Sequence, residues 1–200
     1  MKKLSLILVS FIFILKIAYA STYSSDPKIF VKELVGDAIN KLSDKSITEE
    51  EKKDFVEKLA IENVDIHGLG LYTLGELRKS ADKSSIDRYQ KGFEKYFVKS
   101  LTSRLTDYSS NKFEVISAEK KSSNYTIVKS KIARSKNQPE IKIDWRIYTK
   151  NPEKPLIRDL IVEGLSLART QKEEFSSILS SNNNDINILI AKLEEFIMNN

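Results

Sequence analysis

Few side chains in this sequence are of the kinds that do covalent or metal chemistry. There is one histidine, His67, and no cysteine. Without a thiol there is no thiolate nucleophile, no disulfide and no cysteine zinc site. A lone histidine excludes a His-rich metal centre and leaves little room for a Ser-His-Asp triad. It reads as a surface or hydrogen-bonded structural residue. The six glycines are scattered, and neither the P-loop nor the dinucleotide-binding spacing occurs. Asp159 and Glu163 lie four apart at the end of an apolar run, so on a strand both carboxylates share one face. Such a pair could hold a cation or act as acid and base. The plainer reading is a solvated face with an ion pair to Arg146 or Lys142. Glu49-Glu50-Glu51 is an acidic first helical turn, favoured by the helix dipole. No constellation specifies a reaction, so neither an enzyme nor a bound cofactor or metal is expected.

The elements that position these residues follow from hydrophobic period. Pro27 opens a first helix, with Phe30, Leu34, Ala38 and Leu42 as its apolar stripe. Thr48 and Glu51 have the spacing of a capping box, Thr48 as N-cap and Glu51 as N3. Phe55, Val56, Leu59 and Ala60 give the second helix its buried face. Leu69, Leu71, Leu74 and Leu77 indicate a shorter third helix. A long fourth helix, capped by Ser84 or Ser85, carries Ile86, Tyr89, Phe93, Phe97, Leu101 and Leu105 and ends near Tyr108.

From Lys112 the period changes from helical to alternating. Phe113 and Val115 mark a first strand; Tyr125 and Ile127 mark a second, after a turn at Ser122-Ser123-Asn124. In the third strand Ile141, Ile143, Trp145 and Ile147 point one way, and Lys142, Asp144, Arg146 and Tyr148 the other. One face is then buried and one wet, as in an antiparallel sheet. Leu156 to Val162 is a fourth strand, and two helices follow around Phe175–Leu179 and Ile186–Phe196. The expected class is α+β, with helices packed on one face of a twisted four-stranded antiparallel sheet.

The first twenty residues read differently. Lys2 and Lys3 precede the apolar run Leu4–Leu15, and Ala18-Tyr19-Ala20 is a small-x-small cleavage site. This is the three-part pattern of a secretory signal, and the run stops at Lys16, short of a membrane span. Cleavage after Ala20 is expected, leaving residues 21–200 as one domain. The leader holds three of the 33 basic residues and no acid, which leaves 30 basic against 28 acidic. That near balance, interleaved along the chain, argues against a nucleic-acid partner.

The apolar sheet face and the aromatic helix stripe could form a filled core, or, slightly opened, an apolar pocket. A resemblance bears on that choice. The segment Leu156-Ile-Arg-Asp-Leu-Ile-Val-Glu-Gly-Leu-Ser-Leu167, followed by Phe175, resembles the hallmark of the MlaC family, in which Asp159, Glu163, Gly164, Ser166 and Leu167 match. Ile141-Lys-Ile-Asp-Trp-Arg-Ile147 is similar to that family's strand, with Asp144 and Arg146 in place. Leu74-Gly75 and Phe93 fit its helices. The sequence departs from the pattern at Pro155-Leu156, where a tryptophan is usual. It departs again at Thr170-Gln171-Lys172, in place of Asn-Tyr-Arg, and at Glu174, in place of glutamine.

The resemblance implies a periplasmic phospholipid carrier with an NTF2-like cone and an apolar pocket. The implied partners are an inner-membrane MCE-domain ABC transporter and an outer-membrane lipoprotein complex that maintain outer-membrane lipid asymmetry, with only transient membrane contact. On this reading the pocket is lined by the third and fourth strands, through Ile141, Ile143, Trp145, Ile147, Leu160 and Val162, with Phe113, Val115 and Ile127 beside them. Tyr89, Phe93, Phe97 and Leu101 of the long helix form the opposing wall, and Leu34 and Leu74 close the sides. A headgroup left in water implies weak headgroup selectivity. Two other readings stay open: an enzyme such as an isomerase on an NTF2-like cone, and an interaction or chaperone module with a filled core. The enzyme would need a carboxylate in the pocket, and Asp144 has the wrong strand parity for the face just described.

Overall fold

The computed structural model describes residues 23–105, 112–133 and 140–199. The leader and its cleavage site, and Tyr108 at the expected end of the long helix, lie outside the described residues. Helix α1 (Pro27–Ser43) begins as expected, with Asp26 accepting from the Lys28 and Ile29 amides. Helix α2 (Glu49–Asn63) opens on the Thr48/Glu51 capping box, both reciprocal bonds present. Helix α3 (Ile66–Thr73) runs into a short 3-10 turn at Gly75–Lys79, so the leucines of this segment span two pieces. Helix α4 is Lys83–Leu105. Asp82, not a serine, caps it: its carboxylate accepts from the Ser85 amide at 2.9 Å and the Ser85 hydroxyl at 2.7 Å, an ionised acceptor at the positive helix end.

Five antiparallel strands follow in chain order, β1 (Lys112–Ser122), β2 (Tyr125–Ala133), β3 (Ile141–Tyr148), β4 (Leu156–Val162) and β5 (Leu165–Ser166). The sequence indicates four. The fifth is two residues long and is turned back by Glu163 and Gly164, both at positive φ (49° and 83°). That tight turn suits glycine in the second place. It also takes Glu163 out of the strand, so Asp159 and Glu163 do not share a face. Helices α5 (Leu167–Ser180) and α6 (Ile186–Asn199) close the fold.

Directly paired residues share a side of a sheet. Val128 lies opposite Trp145, and Trp145 opposite Leu160; Ser130 lies opposite Ile143, and Ile143 opposite Val162. The alternation read in β3 is therefore the observed one. This apolar side packs on α1. Phe30, Val31, Leu34 and Val35 form one core with Val128, Trp145, Ile147 and Ile157. The Trp145 indole N–H donates to the buried Ser130 hydroxyl at 2.8 Å, and that hydroxyl donates to the Ile143 carbonyl at 3.0 Å, so the polar atoms of this core are satisfied.

A second core lies among the helices. Tyr89 and Phe93 of α4 pack with Phe175 of α5 and with Leu189, Ile190 and Leu193 of α6. Phe175 meets Phe93 edge-on, ring centroids 6.3 Å apart, a favoured aromatic arrangement. The Tyr89 hydroxyl pairs with Thr73 at 2.9 Å, and burial pushes its pKa above the ordinary tyrosine value. This helical layer meets the sheet at β4: Val64 bridges Ile157, and the Asp65 amide donates to the Ile157 carbonyl at 2.9 Å. Helices therefore stand on both sides of the sheet, α1 on the apolar side and α3 across from the other, where packing on a single face is the sequence expectation.

Candidate functional site

A cleft of about 850 Å³ opens between α3 and the charged side of the sheet. Its position follows from the register. Ile127 lies opposite Arg146 and Arg146 opposite Asp159; Lys129 lies opposite Asp144 and Asp144 opposite Ile161. All of these line the cleft. Across from them α3 contributes Leu69, Leu71 and Tyr72, and the start of α5 adds Ala168. The wall from α3 and Ala168 is apolar, and the sheet wall is charged around Ile127 and Ile161. The space between them is open to solvent and two-faced in chemistry.

A network around Arg158 ties the two walls. The pairing of β3 with β4 slips one residue between Arg146 and Ile147, so Arg158 is the extra residue of a bulge. Bulges re-aim side chains, and this one sends the guanidinium toward α3. Arg158 Nε donates to Asp65 Oδ2 at 2.6 Å, and Nη2 pairs with the same oxygen. Nη1 donates to the Tyr125 hydroxyl, and the guanidinium lies 3.6 Å from the centre of the Tyr148 ring. Burial opposes this charge, but the Tyr125 hydroxyl and the Asp65 carboxylate more than offset it and raise the Arg158 pKa. Asp65 also caps α3, accepting from the Gly68 amide at 3.0 Å. Gly68 lines the cleft, and a Cβ there would stand 2.3 Å from Asp65 Oδ2 and 2.9 Å from Arg158 Nη2.

Asp159 anchors the other end. Its side chain is buried, and it accepts from the Ser166 hydroxyl at 2.6 Å and the Ala168 amide at 3.0 Å, with Arg146 Nη1 at 3.4 Å. The carboxylate thus sits at the N-terminus of α5, where the exposed amides and the helix dipole favour it. The ion pair with Arg146 is the plainer reading of these carboxylates. Glu163 accepts instead from the Lys142 backbone amide, at 2.5 Å. His67 is exposed on α3. Among the described residues no group of His, Cys, Asp or Glu could hold a metal ion, and no described helix is long and apolar enough to cross a membrane.

The structure divides most of the pocket residues named from the sequence between two separate cores. Of them, only Ile127 lines the cleft. Leu34, Trp145 and Ile147 are buried in the α1–sheet core, with Phe113, Val115, Ile143 and Leu160 packed against it. Leu74, Tyr89 and Phe93 belong to the helical core, with Phe97 against it. Ile141, Val162 and Leu101 are half-buried at the ends of β3, β4 and α4. The expected wall between β3 and α4 does not form, because α1 takes the sheet's apolar face and α6 takes the aromatic stripe of α4. The cleft residues not named as pocket residues from the sequence include Leu69, Leu71, Tyr72, Arg78, Tyr125, Lys129, Asp144, Arg158, Ile161 and Ala168. Of these only Asp144 lies on β3, where the strict polar alternation is a signal along the sequence; the others come from α3, the 3-10 turn, β2, β4 and α5.

The cleft sets an apolar wall against a charged wall on an α+β frame. The family model of the MlaC protein matches residues 32–195, and the chain belongs to the MlaC family. Its fold is shared by a phospholipid-binding protein from Ralstonia solanacearum, solved in complex with a phospholipid. The two align with a TM-score of 0.69 at 18% identity, over 84% of this chain and 94% of that one. No curated protein matches the sequence.

Proposed function

We propose that this protein is a periplasmic phospholipid carrier, exported by its leader and cleaved after Ala20. The observation that carries the reading is the two-faced cleft, which offers an apolar wall and a charged wall to one amphiphile. Its volume of about 850 Å³ lies in the upper part of the range of small-molecule sites, roughly 300–1,000 Å³. Membership of the MlaC family and the fold shared with a phospholipid-bound protein support the same conclusion.

The physical need for a carrier is large. Each methylene buried gains about 0.8 kcal/mol, so a lipid with roughly 30 methylenes faces on the order of 20 kcal/mol to enter water unaided. Acyl chains laid against Leu69, Leu71, Tyr72, Ile161 and Ala168 recover part of that cost without any bond being made or broken. On this reading the sheet and α3 are the two jaws of an NTF2-like cone, and the protein is a carrier, not an enzyme. Lipid would pass between an outer-membrane lipoprotein complex and an inner-membrane MCE-domain ABC transporter. Native mass spectrometry of the mature chain, purified without detergent and exposed to phospholipid vesicles, tests the reading. One phospholipid mass per chain is expected; a folded chain that carries none would refute it.

A further inference from the structure

We propose that Arg158 is a hinge clamp, a positioning residue that fixes the angle between the sheet and α3 and so the width of the cleft. Its effect on cargo rests on the carrier reading.

On the cleft side the sheet meets the helices along β4. Val64 bridges Ile157 there, and Asp159 anchors the start of α5. The other strands extend from that line, and Ile127, Lys129, Asp144 and Arg146 carry the cleft's second wall. Side-chain bracing across the line sets the angle of that wall.

The bulge in β4 supplies the brace. Strict alternation would put Arg158 and Asp159 on opposite sides of the sheet. Both line the cleft, because the extra residue lets two successive side chains reach one side. Asp159 serves α5, and Arg158 serves α3 through Asp65. Arg158 also grips the far strands. Tyr125 at the start of β2 and Tyr148 at the end of β3 are directly paired in the sheet, with ring centroids 5.3 Å apart. The guanidinium donates to the first and lies over the second. One planar fork thus holds β2, β3 and α3 in fixed directions, which a lysine ammonium cannot reproduce. Loosening the clamp opens neither core, since Asp65, Tyr125, Tyr148 and Arg158 belong to neither. Asp65 and Tyr148 stand outside the cleft lining, so their part in the clamp is separable from any contact with a ligand.

The chain has no cysteine, so Lys79→Cys and Lys120→Cys, at exposed sites on the 3-10 turn and on β1, take one spin label each. Pulsed electron resonance then reads the distance across the cleft in the mature protein. A single narrow distance is expected, broadened alike in Arg158→Gln, Asp65→Asn and Tyr148→Leu. Asp65→Asn keeps a side-chain oxygen to accept from the Gly68 amide, so the α3 cap survives. Loaded with a phospholipid that bears a pyrene-labelled acyl chain, the same three variants should release it to excess unlabelled vesicles about tenfold faster, the factor carried by one charge-assisted hydrogen bond. Unchanged distances in the three variants overturn the clamp. So does an effect confined to Arg158→Gln, which would make Arg158 a ligand contact instead. Val128→Ala loosens the α1–sheet core and should move neither readout; if it matches the clamp variants, general loss of packing explains them and the clamp fails. If the unaltered protein loads no lipid, the carrier reading falls and the distances alone decide the clamp.

Discussion

Val128 and Ile127 are neighbours on β2 that face opposite sides of the sheet, and enlarging each to tryptophan should have opposite consequences. Val128 has no exposed surface and lies in the core with Phe30, Val31 and Trp145. An indole there has no space to enter, and overpacking a filled core costs about 1–3 kcal/mol. For a chain of this size each kcal/mol lowers Tm by about 2–4 °C, so Val128→Trp should melt about 2–12 °C early. Ile127 borders the 850 Å³ cleft. Tryptophan there displaces solvent or ligand instead of protein, and a change within about 0.5 kcal/mol is expected, with Tm held to about 2 °C. Bound lipid should decrease in Ile127→Trp, because the indole takes space between the jaws, and persist in the folded fraction of Val128→Trp. The assay is a thermal melt of each variant beside its lipid-to-protein ratio by native mass spectrometry. If Val128→Trp kept its Tm and lost lipid while Ile127→Trp unfolded, the cavity would lie on the α1 side and the assignment of the cleft would be wrong.

Three further outcomes follow from particular contacts. Gly68→Ala places a methyl 2.3 Å from Asp65 Oδ2, so it should break the Asp65–Arg158 pairing and the α3 cap at a cost of about 1–3 kcal/mol, read by chemical denaturation. Asp159→Ala removes the acceptor for the Ser166 hydroxyl and the Ala168 amide and should cost about 1–3 kcal/mol. Hydrogen exchange should rise at the first turn of α5 before the α1–sheet core. Burial, and then the neighbouring Asp37 carboxylate, push the Tyr23 hydroxyl from 10.0 up to about 12. The folded state therefore holds this proton more tightly, and the stability it contributes is intact below pH 10 and lost as pH rises toward 12. Tyr23→Phe should flatten that alkaline limb of a stability-against-pH curve.

The local pattern carried much of the fold and little of the site. Capping chemistry is local, and the Thr48/Glu51 box appears where its spacing puts it. Strand parity is local too, and Ile143, Trp145 and Ile147 share the buried side. Partner choice is not local. The stripe Tyr89, Phe93 and Phe97 states that one face of α4 is covered, but nothing in it distinguishes α6 from the sheet. The same alternation that placed Trp145 in a core placed Asp144 and Arg146 on a polar side, and a polar side can face a cleft as readily as bulk water. In β2 the parity was not legible, and Ile127, expected beside Ile143 and Trp145, lies opposite Arg146 on the charged side. The bulge at Arg158 and the two-residue β5 depend on register between strands, which a pattern along one strand does not contain.

The central claim is that acyl chains lie between α3 and the charged side of the sheet. Photocrosslinking with a phosphatidylglycerol that carries a diazirine on one acyl chain, followed by peptide mapping of the adducts, tests it most directly. Adducts are expected on Leu71, Tyr72, Ile127 and Ile161, the residues that border the cleft. Adducts confined to Phe30, Trp145 and Ile147, or to Phe93 and Leu193, would place the lipid in one of the two packed cores and contradict the account.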